Sequence, residues 1–88
     1  MNHLEIVSNV NQIMREGFEI PDEKLVPTAT VFEDLGLDSL DAVDMLVNLE
    51  DRLGVKVDVE RLKKVRTLQD VYDLVEHLTA GKKIQFDQ

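Results

Sequence analysis

Three stretches of this chain repeat apolar residues every three or four positions, and between the first two the rhythm gives way to scattered hydrophobes and prolines. Over residues 2–16, Leu4, Val7, Val10 and Met14 share one helical face with Ile6 and Ile13 beside it. Gly17 is the predicted stop. The second stretch predicts a helix from Ser39 to Leu53. At about 100° per residue, Leu40, Val43, Leu46, Val47, Leu49 and Leu53 cover a broad apolar arc. Asp41, Asp44, Asn48 and Asp51 fall in a narrow polar stripe, and Leu40 and Val47 stand at the border as partly exposed hydrophobes. Gly54 is read as a left-handed cap. The third helix starts after Thr67, with Asp70 at its third position, and buries Leu68, Val71, Tyr72, Leu74, Val75 and Leu78. Gly81 is its predicted end. Residues 1–80 are then the domain, and residues 81–88 a flexible tail.

The connection over residues 17–37 is too apolar to hang free: Phe18, Ile20, Leu25, Val26, Val31, Phe32, Leu35 and Leu37 stud it. It is expected to pack across the helices. Pro21-Asp22-Glu23-Lys24 suits a single helical turn, and Thr30 with Glu33 has the spacing of a capping box. Val55-Lys56-Val57 alternates like a strand, but no partner strand is visible, so an extended link is expected. It leads to a short helix near Asp58–Lys64, capped by Asp58. The fold class is therefore all-α: a four-helix bundle of three longer helices and one short one, with a long structured loop between the first two.

Composition narrows the function. The 88 residues support one small core, built mainly from Leu, Val and Ile because there are three Phe, one Tyr and no Trp. Without cysteine, neither disulfides nor thiolate metal sites are possible. No apolar run reaches membrane-spanning length, and Met1-Asn2-His3-Leu4-Glu5 lacks the basic start of a signal peptide; a cytoplasmic monomer without membrane insertion is expected. A formal charge of −8 disfavours nucleic acid and favours partners that present Lys and Arg. The charge is uneven. Residues 33–58 set eight acids against Arg52 and Lys56, whereas residues 59–66 set Arg61, Lys63, Lys64 and Arg66 against Glu60.

The candidate chemistry lies in Asp34-Leu35-Gly36-Leu37-Asp38-Ser39-Leu40-Asp41. Ser39 at a helix start has three readings. It is an ordinary cap, although Asp38 would serve as well. It is a nucleophile, which requires a base that neither His3 nor His77 is placed in sequence to supply. Or it is the substrate of another enzyme, exposed on rigid structure, with helix amides ready to host a phosphodiester. On that third reading the acids of the following helix dock basic enzymes, and Leu40 and Val47 add contact area. The acids are spaced for a solvated stripe rather than for a calcium loop.

This segment, continued by Ala42-Val43-Asp44-Met45-Leu46-Val47-Asn48-Leu49-Glu50-Asp51 and later by Thr67-Leu68-Gln69-Asp70-Val71, resembles the acyl carrier proteins of fatty-acid and polyketide synthesis. The likeness covers roughly residues 4–78. It implies a free-standing, non-catalytic carrier with 4′-phosphopantetheine on Ser39, transferred from coenzyme A by a magnesium-dependent phosphopantetheinyl transferase. The arm's thiol would hold acyl groups as thioesters for acyl-transferring and synthase enzymes with basic docking patches. Asp38 matches the motif acid; Asp41, Asp44, Glu50 and Asp51, with Leu40 and Val47, match the recognition helix. Two features depart from the fatty-acid pattern: the basic segment Arg61 to Arg66, and Gly17-Phe18-Glu19-Ile20-Pro21. They leave a specialised acyl pathway open. The rival readings are an unmodified acidic adaptor that binds a basic protein and a small serine hydrolase.

Overall fold

The computed structural model describes residues 2–86, with side chains as far as residue 79. Four α-helices follow in order: α1 (His3–Phe18), α2 (Ser39–Leu53), α3 (Val59–Lys63) and α4 (Leu68–Phe86), with one 3-10 turn at Asp22–Lys24. The all-α, four-helix expectation holds. α1 packs against both α2 and α4, and α3 packs on α2. Among the described residues, no helix is long and apolar enough to cross a membrane.

α1 starts with a reciprocal cap: the Asn2 side chain accepts the Glu5 N–H at 2.8 Å, and the Glu5 carboxylate accepts the Asn2 N–H at 3.1 Å. Its buried residues are Ile6, Val10, Ile13 and Met14, while Val7 is half-buried and Leu4 is exposed. The core face is thus turned from the one expected through Leu4, because Ile6 and Ile13 are central to it rather than beside it. Gly17 does not stop the helix. The chain leaves at Glu19, which takes the left-handed conformation with φ 56°, and the N–H groups of Glu19 and Ile20 both donate to the Met14 carbonyl.

The connection that follows is part of the core. Ile20, Leu25, Ala29, Val31, Leu35 and Leu37 are all buried. Pro21 caps the 3-10 turn, and Arg15 of α1 reaches Asp22 at 2.9 Å. Thr30 does build a turn, but its partner is Asp34 rather than Glu33: the Thr30 N–H donates to Asp34 Oδ2 at 3.0 Å, and the Asp34 N–H to Thr30 Oγ1 at 2.9 Å. Backbone bonds then pin the loop to the start of α4. Val31 N–H donates to the Arg66 carbonyl at 2.8 Å, Leu68 N–H to Ala29 at 2.9 Å, and Gln69 N–H to Pro27 at 3.0 Å. Thr30 and Thr67 face each other as an isolated antiparallel bridge.

α2 buries Ala42, Met45 and Leu49, with Leu46 and Leu53 half-buried. The expected arc holds at Leu46, Leu49 and Leu53, and Leu40 and Val47 are exposed at its border as expected. It is shifted elsewhere: small Ala42 and flexible Met45 face the core, and Val43 points outward. Gly54 ends the helix in the left-handed conformation, φ 67°. Val55 and Val57 then bury themselves in an extended link, with the Val57 N–H donating to Glu50 Oε2 at 3.2 Å. Asp58 caps α3, which seats Leu62 in the core.

At α4 the Asp70 carboxylate accepts the N–H groups of Arg66 and Thr67 at 2.9 and 3.1 Å, and Thr67 Oγ1 accepts the Asp70 N–H. Leu68, Val71, Tyr72 and Val75 are buried, and the Tyr72 hydroxyl donates to Asn11 Oδ1 of α1. The helix continues through Gly81 to Phe86, so the end expected at Gly81 is not found. Its backbone thus enters the segment expected as a tail; one glycine costs a helix only about 1 kcal/mol.

Two predictions follow from this packing. A Cβ added at Gly17 would meet nothing nearer than Asn48 Nδ2 at 3.9 Å, an ordinary contact. Gly17→Ala is therefore expected to stabilise the protein by about 0.5–1 kcal/mol in urea denaturation. Asp70→Ala should cost about 1 kcal/mol at neutral pH through loss of the cap. The N–H groups of Arg66, then Thr67, hold the Asp70 carboxyl below the usual carboxylate range. Its contribution is present above the unfolded-state value and is lost as pH falls through the folded one. The gap between wild type and Asp70→Ala should accordingly close on acidification; a constant gap from pH 7 to 3 would contradict this.

Candidate functional site

The approach to α2 is set by side chains on alternate sides of the loop. Leu35 and Leu37 are buried, and Gly36 between them adopts φ 71°, a conformation that favours glycine. Leu37 N–H donates to the Val31 carbonyl at 3.3 Å, which ties the last loop residues back to the pinned segment. Asp34 closes its turn with Thr30, whose backbone N–H is the main cause holding the Asp34 carboxyl below the ordinary range.

Asp38 is then the N-cap. Its backbone is extended, Asp38 Oδ1 accepts the Asp41 N–H at 3.0 Å, and Asp41 Oδ2 accepts the Asp38 N–H at 3.1 Å. The Asp38 carbonyl takes the Ala42 N–H at 2.9 Å. Capping is complete without the serine. Ser39 is the first residue of α2, it is exposed, and its hydroxyl bonds to no protein group among the described residues. It stands at the positive end of a 15-residue helix, where the first amides have no intrahelical acceptor. Such a hydroxyl fits a phosphodiester, whose negative oxygens that helix end favours.

Among the described residues, no base is hydrogen-bonded to the Ser39 hydroxyl. His3 Nδ1 lies 3.1 Å from Glu76 Oε2, joining α1 to α4, and His77 is exposed on α4. Among the described residues, no group of three or more acids and histidines is arranged to hold a metal ion.

The residues expected to dock partners divide into two sets. Leu40, Asp44, Val47 and Asp51 lie within one narrow sector at about 100° per residue and form the outward face of α2. Leu40 is 76% exposed and Val47 55%, and they alternate along the helix with the exposed Asp44 and Asp51. Asp41 and Glu50 lie at the flanks, only half-exposed, and their carboxylates are engaged inside the chain by Asp38 and Val57. Val43, 42% exposed beside this face, was not among the expected docking residues. The signal for it was the position of the acids: centring the outward face on Asp44 and Asp51 puts Val43 on its edge.

Comparison with known proteins gives this geometry a family. The model of the phosphopantetheine attachment site matches residues 9–75, which include Ser39 and the whole of α2 and α3. The chain belongs to the acyl carrier protein family. It is 39% identical over 81 residues to an acyl carrier protein of Thermosynechococcus vestitus, covering 92% of this chain and 100% of that one. Acyl carrier protein 2 of Ralstonia nicotianae is also 39% identical, with the same coverage. Acyl carrier protein 5, chloroplastic, of Arabidopsis thaliana is 35% identical over 78 residues, 89% of this chain and 56% of that protein. A crystal structure of the acyl carrier protein from Thermotoga maritima superposes with a TM-score of 0.77 at 25% identity, covering 92% and 94% of the two chains. The protein is thus a carrier with a phosphopantetheine attachment site rather than a catalyst.

The division of labour between Asp38 and Ser39 is measurable. Asp38→Ala is expected to lose about 1 kcal/mol of stability. Ser39→Ala should stay within about 0.5 kcal/mol of the wild type, since its hydroxyl bonds to nothing in the fold. Equal losses in urea denaturation would mean that Ser39 shares the cap.

Proposed function

We propose that Ser39 carries the 4′-phosphopantetheine arm and that the face formed by Leu40, Asp44, Val47 and Asp51 docks this carrier on its enzymes. The observation that carries the proposal is the unengaged, exposed Ser39 hydroxyl at the start of α2, beside an aspartate that already caps the helix. A phosphopantetheinyl transferase would supply the base. Ser39 Oγ displaces adenosine 3′,5′-bisphosphate at the outer phosphorus of coenzyme A and gives up its proton to that base. When attached, the arm supplies a thiol that holds acyl groups as thioesters, a group the cysteine-free chain does not possess.

The chain's own part is presentation. A helix anchored by Ala42, Met45 and Leu49 holds Ser39 fixed relative to the docking face, so a partner that grips the face finds the attachment point in register. Exposed charge pairs each contribute little, which suits contacts that must release between successive enzymes. We propose acyl carriage for fatty-acid, polyketide or a specialised acyl pathway, in the cytoplasm. The acid-rich face supports basic, acyl-handling enzymes as partners.

The deciding experiment is the intact mass after incubation with coenzyme A, magnesium and a phosphopantetheinyl transferase. Wild type is expected to gain one phosphopantetheine and Ser39→Ala none. A gain by both proteins would move the attachment point; no gain by either would favour an unmodified acidic adaptor. Docking is tested separately with Asp44→Lys/Asp51→Lys, which leaves the Asp38–Asp41 cap intact. Its kcat/KM with the transferase should fall about tenfold at low salt, with the loss shrinking as salt screens the face. Unchanged turnover at low salt would refute the electrostatic docking.

A further inference from the structure

The cations of this carrier are treated in two ways by the fold. Arg15 and Arg52, on α1 and α2, each meet a carboxylate: Asp22 at 2.9 Å and Glu16 at 3.3 Å. The other two arginines, Arg61 and Arg66, are exposed in and just after α3 and make no ion pair among the described residues, although the Arg66 charge lies near enough to act on the Asp70 carboxylate. Lys56, Lys63 and Lys64 are likewise exposed and without an ion pair among the described residues. Over residues 56–66 these five cations stand against Asp58 and Glu60, a net positive stretch in a chain with 18 acids. The fold fixes that patch in place. Leu62 is buried, Val59 and Val65 are half-buried, and α3 packs on α2, the helix that carries the acidic face.

We propose that α3 and its flanks are the second half of a two-signed docking surface, fitting an acyl-handling enzyme that sets carboxylates beside its basic patch. Charge complementarity favours this occupant. A partner with basic residues alone would be attracted to α2 and repelled by the adjoining α3, whereas a partner of both signs gains at each half and is held in one orientation. Like charges set against each other also exclude wrong partners, so the same patch discriminates among enzymes that α2 alone would attract equally.

The inference rests on the carrier reading, so each variant is first loaded and its mass checked. Wild type that gains no arm refutes that reading; where wild type gains it, slower loading of a variant counts as a docking effect on the transferase, and the transfer rates are compared on loaded protein. The variants are Arg61→Glu/Lys64→Glu and the milder Arg61→Gln/Lys64→Gln, each checked for native circular dichroism. The probes are the purified acyl-transferring enzymes of the source cell that accept the loaded wild type. For at least one of them, kcat/KM should fall about tenfold at low salt with the Glu pair and less with the Gln pair, the losses fading at high salt. Reversing carboxylates on that enzyme should restore the rate. The opposite sign overturns the proposal. If the patch has no docking role, making the carrier more negative leaves every rate unchanged or raises it, because attraction to basic enzymes increases. Salt-sensitive dimers in sedimentation, abolished by the Glu pair while every transfer rate stays unchanged, would assign the patch to a second copy of this chain and equally overturn it.

Discussion

The structure depends on holding a long connection still without a sheet. Between α1 and α2 the chain crosses the bundle, and what fixes it is a short set of backbone bonds to the start of α4, from Ala29, Val31 and Pro27 to Leu68, Arg66 and Gln69. Buried backbone groups must be paired, and here the pairing comes from one helix start rather than from neighbouring strands. The consequence reaches the attachment point. With Val31 pinned, Leu37 bonded to it, and Leu35 and Leu37 buried, the chain enters α2 at a defined place.

Acidic residues do two incompatible jobs in this carrier, and the fold separates them. Asp38, Asp41 and Asp70 turn their carboxylates onto backbone N–H groups at helix starts, and Glu50 turns its own onto the Val57 N–H. Asp44 and Asp51 stay outward. An acid of the first kind contributes to the carrier's own stability; one of the second kind adds repulsion to a chain already at −8, which on the proposed reading is returned as attraction for a basic partner. The boundary is not visible in residue type, since the two kinds alternate along α2.

That alternation explains what the sequence reading found and what it missed. Periodicity located the three longer helices, the Asp58 cap located the short one, and Gly54 and Thr67 marked two further boundaries, because caps need particular side chains. Gly17 misled because a glycine is tolerated inside a helix whose next residues still pack: Phe18 is half-buried and Ile20 buried, so the turn to leave α1 falls on Glu19. The core face of α2 was shifted at three positions for a different reason. Hydrophobic size weights Val43, yet burial takes Ala42, whose single methyl adds little to an apolar pattern, and Met45, which adapts to irregular gaps. The Thr30 turn was found and its partner missed by one residue, since Glu33 and Asp34 offer the same carboxylate and only geometry chooses. The pairing of Glu50 with Val57 crosses from a helix to an extended link and left no local pattern to read.

The exposed hydrophobes on α2 support the proposal that this face meets partners. Leu40, Val43 and Val47 cost the isolated protein the burial free energy they forgo, about 1.5–3 kcal/mol for each such side chain if it were wholly buried, and Leu40 in particular lies almost fully in water. A charged stripe alone would steer partners without holding them, because exposed pairs are screened and weak. Leu40, Val43 and Val47, set beside Asp44 and Asp51, would on the proposed reading add a contact that salt does not screen. Ser39 stands one residue before Leu40, so on the proposed reading the attachment point and the hydrophobic part of the face are held by the same turn of α2.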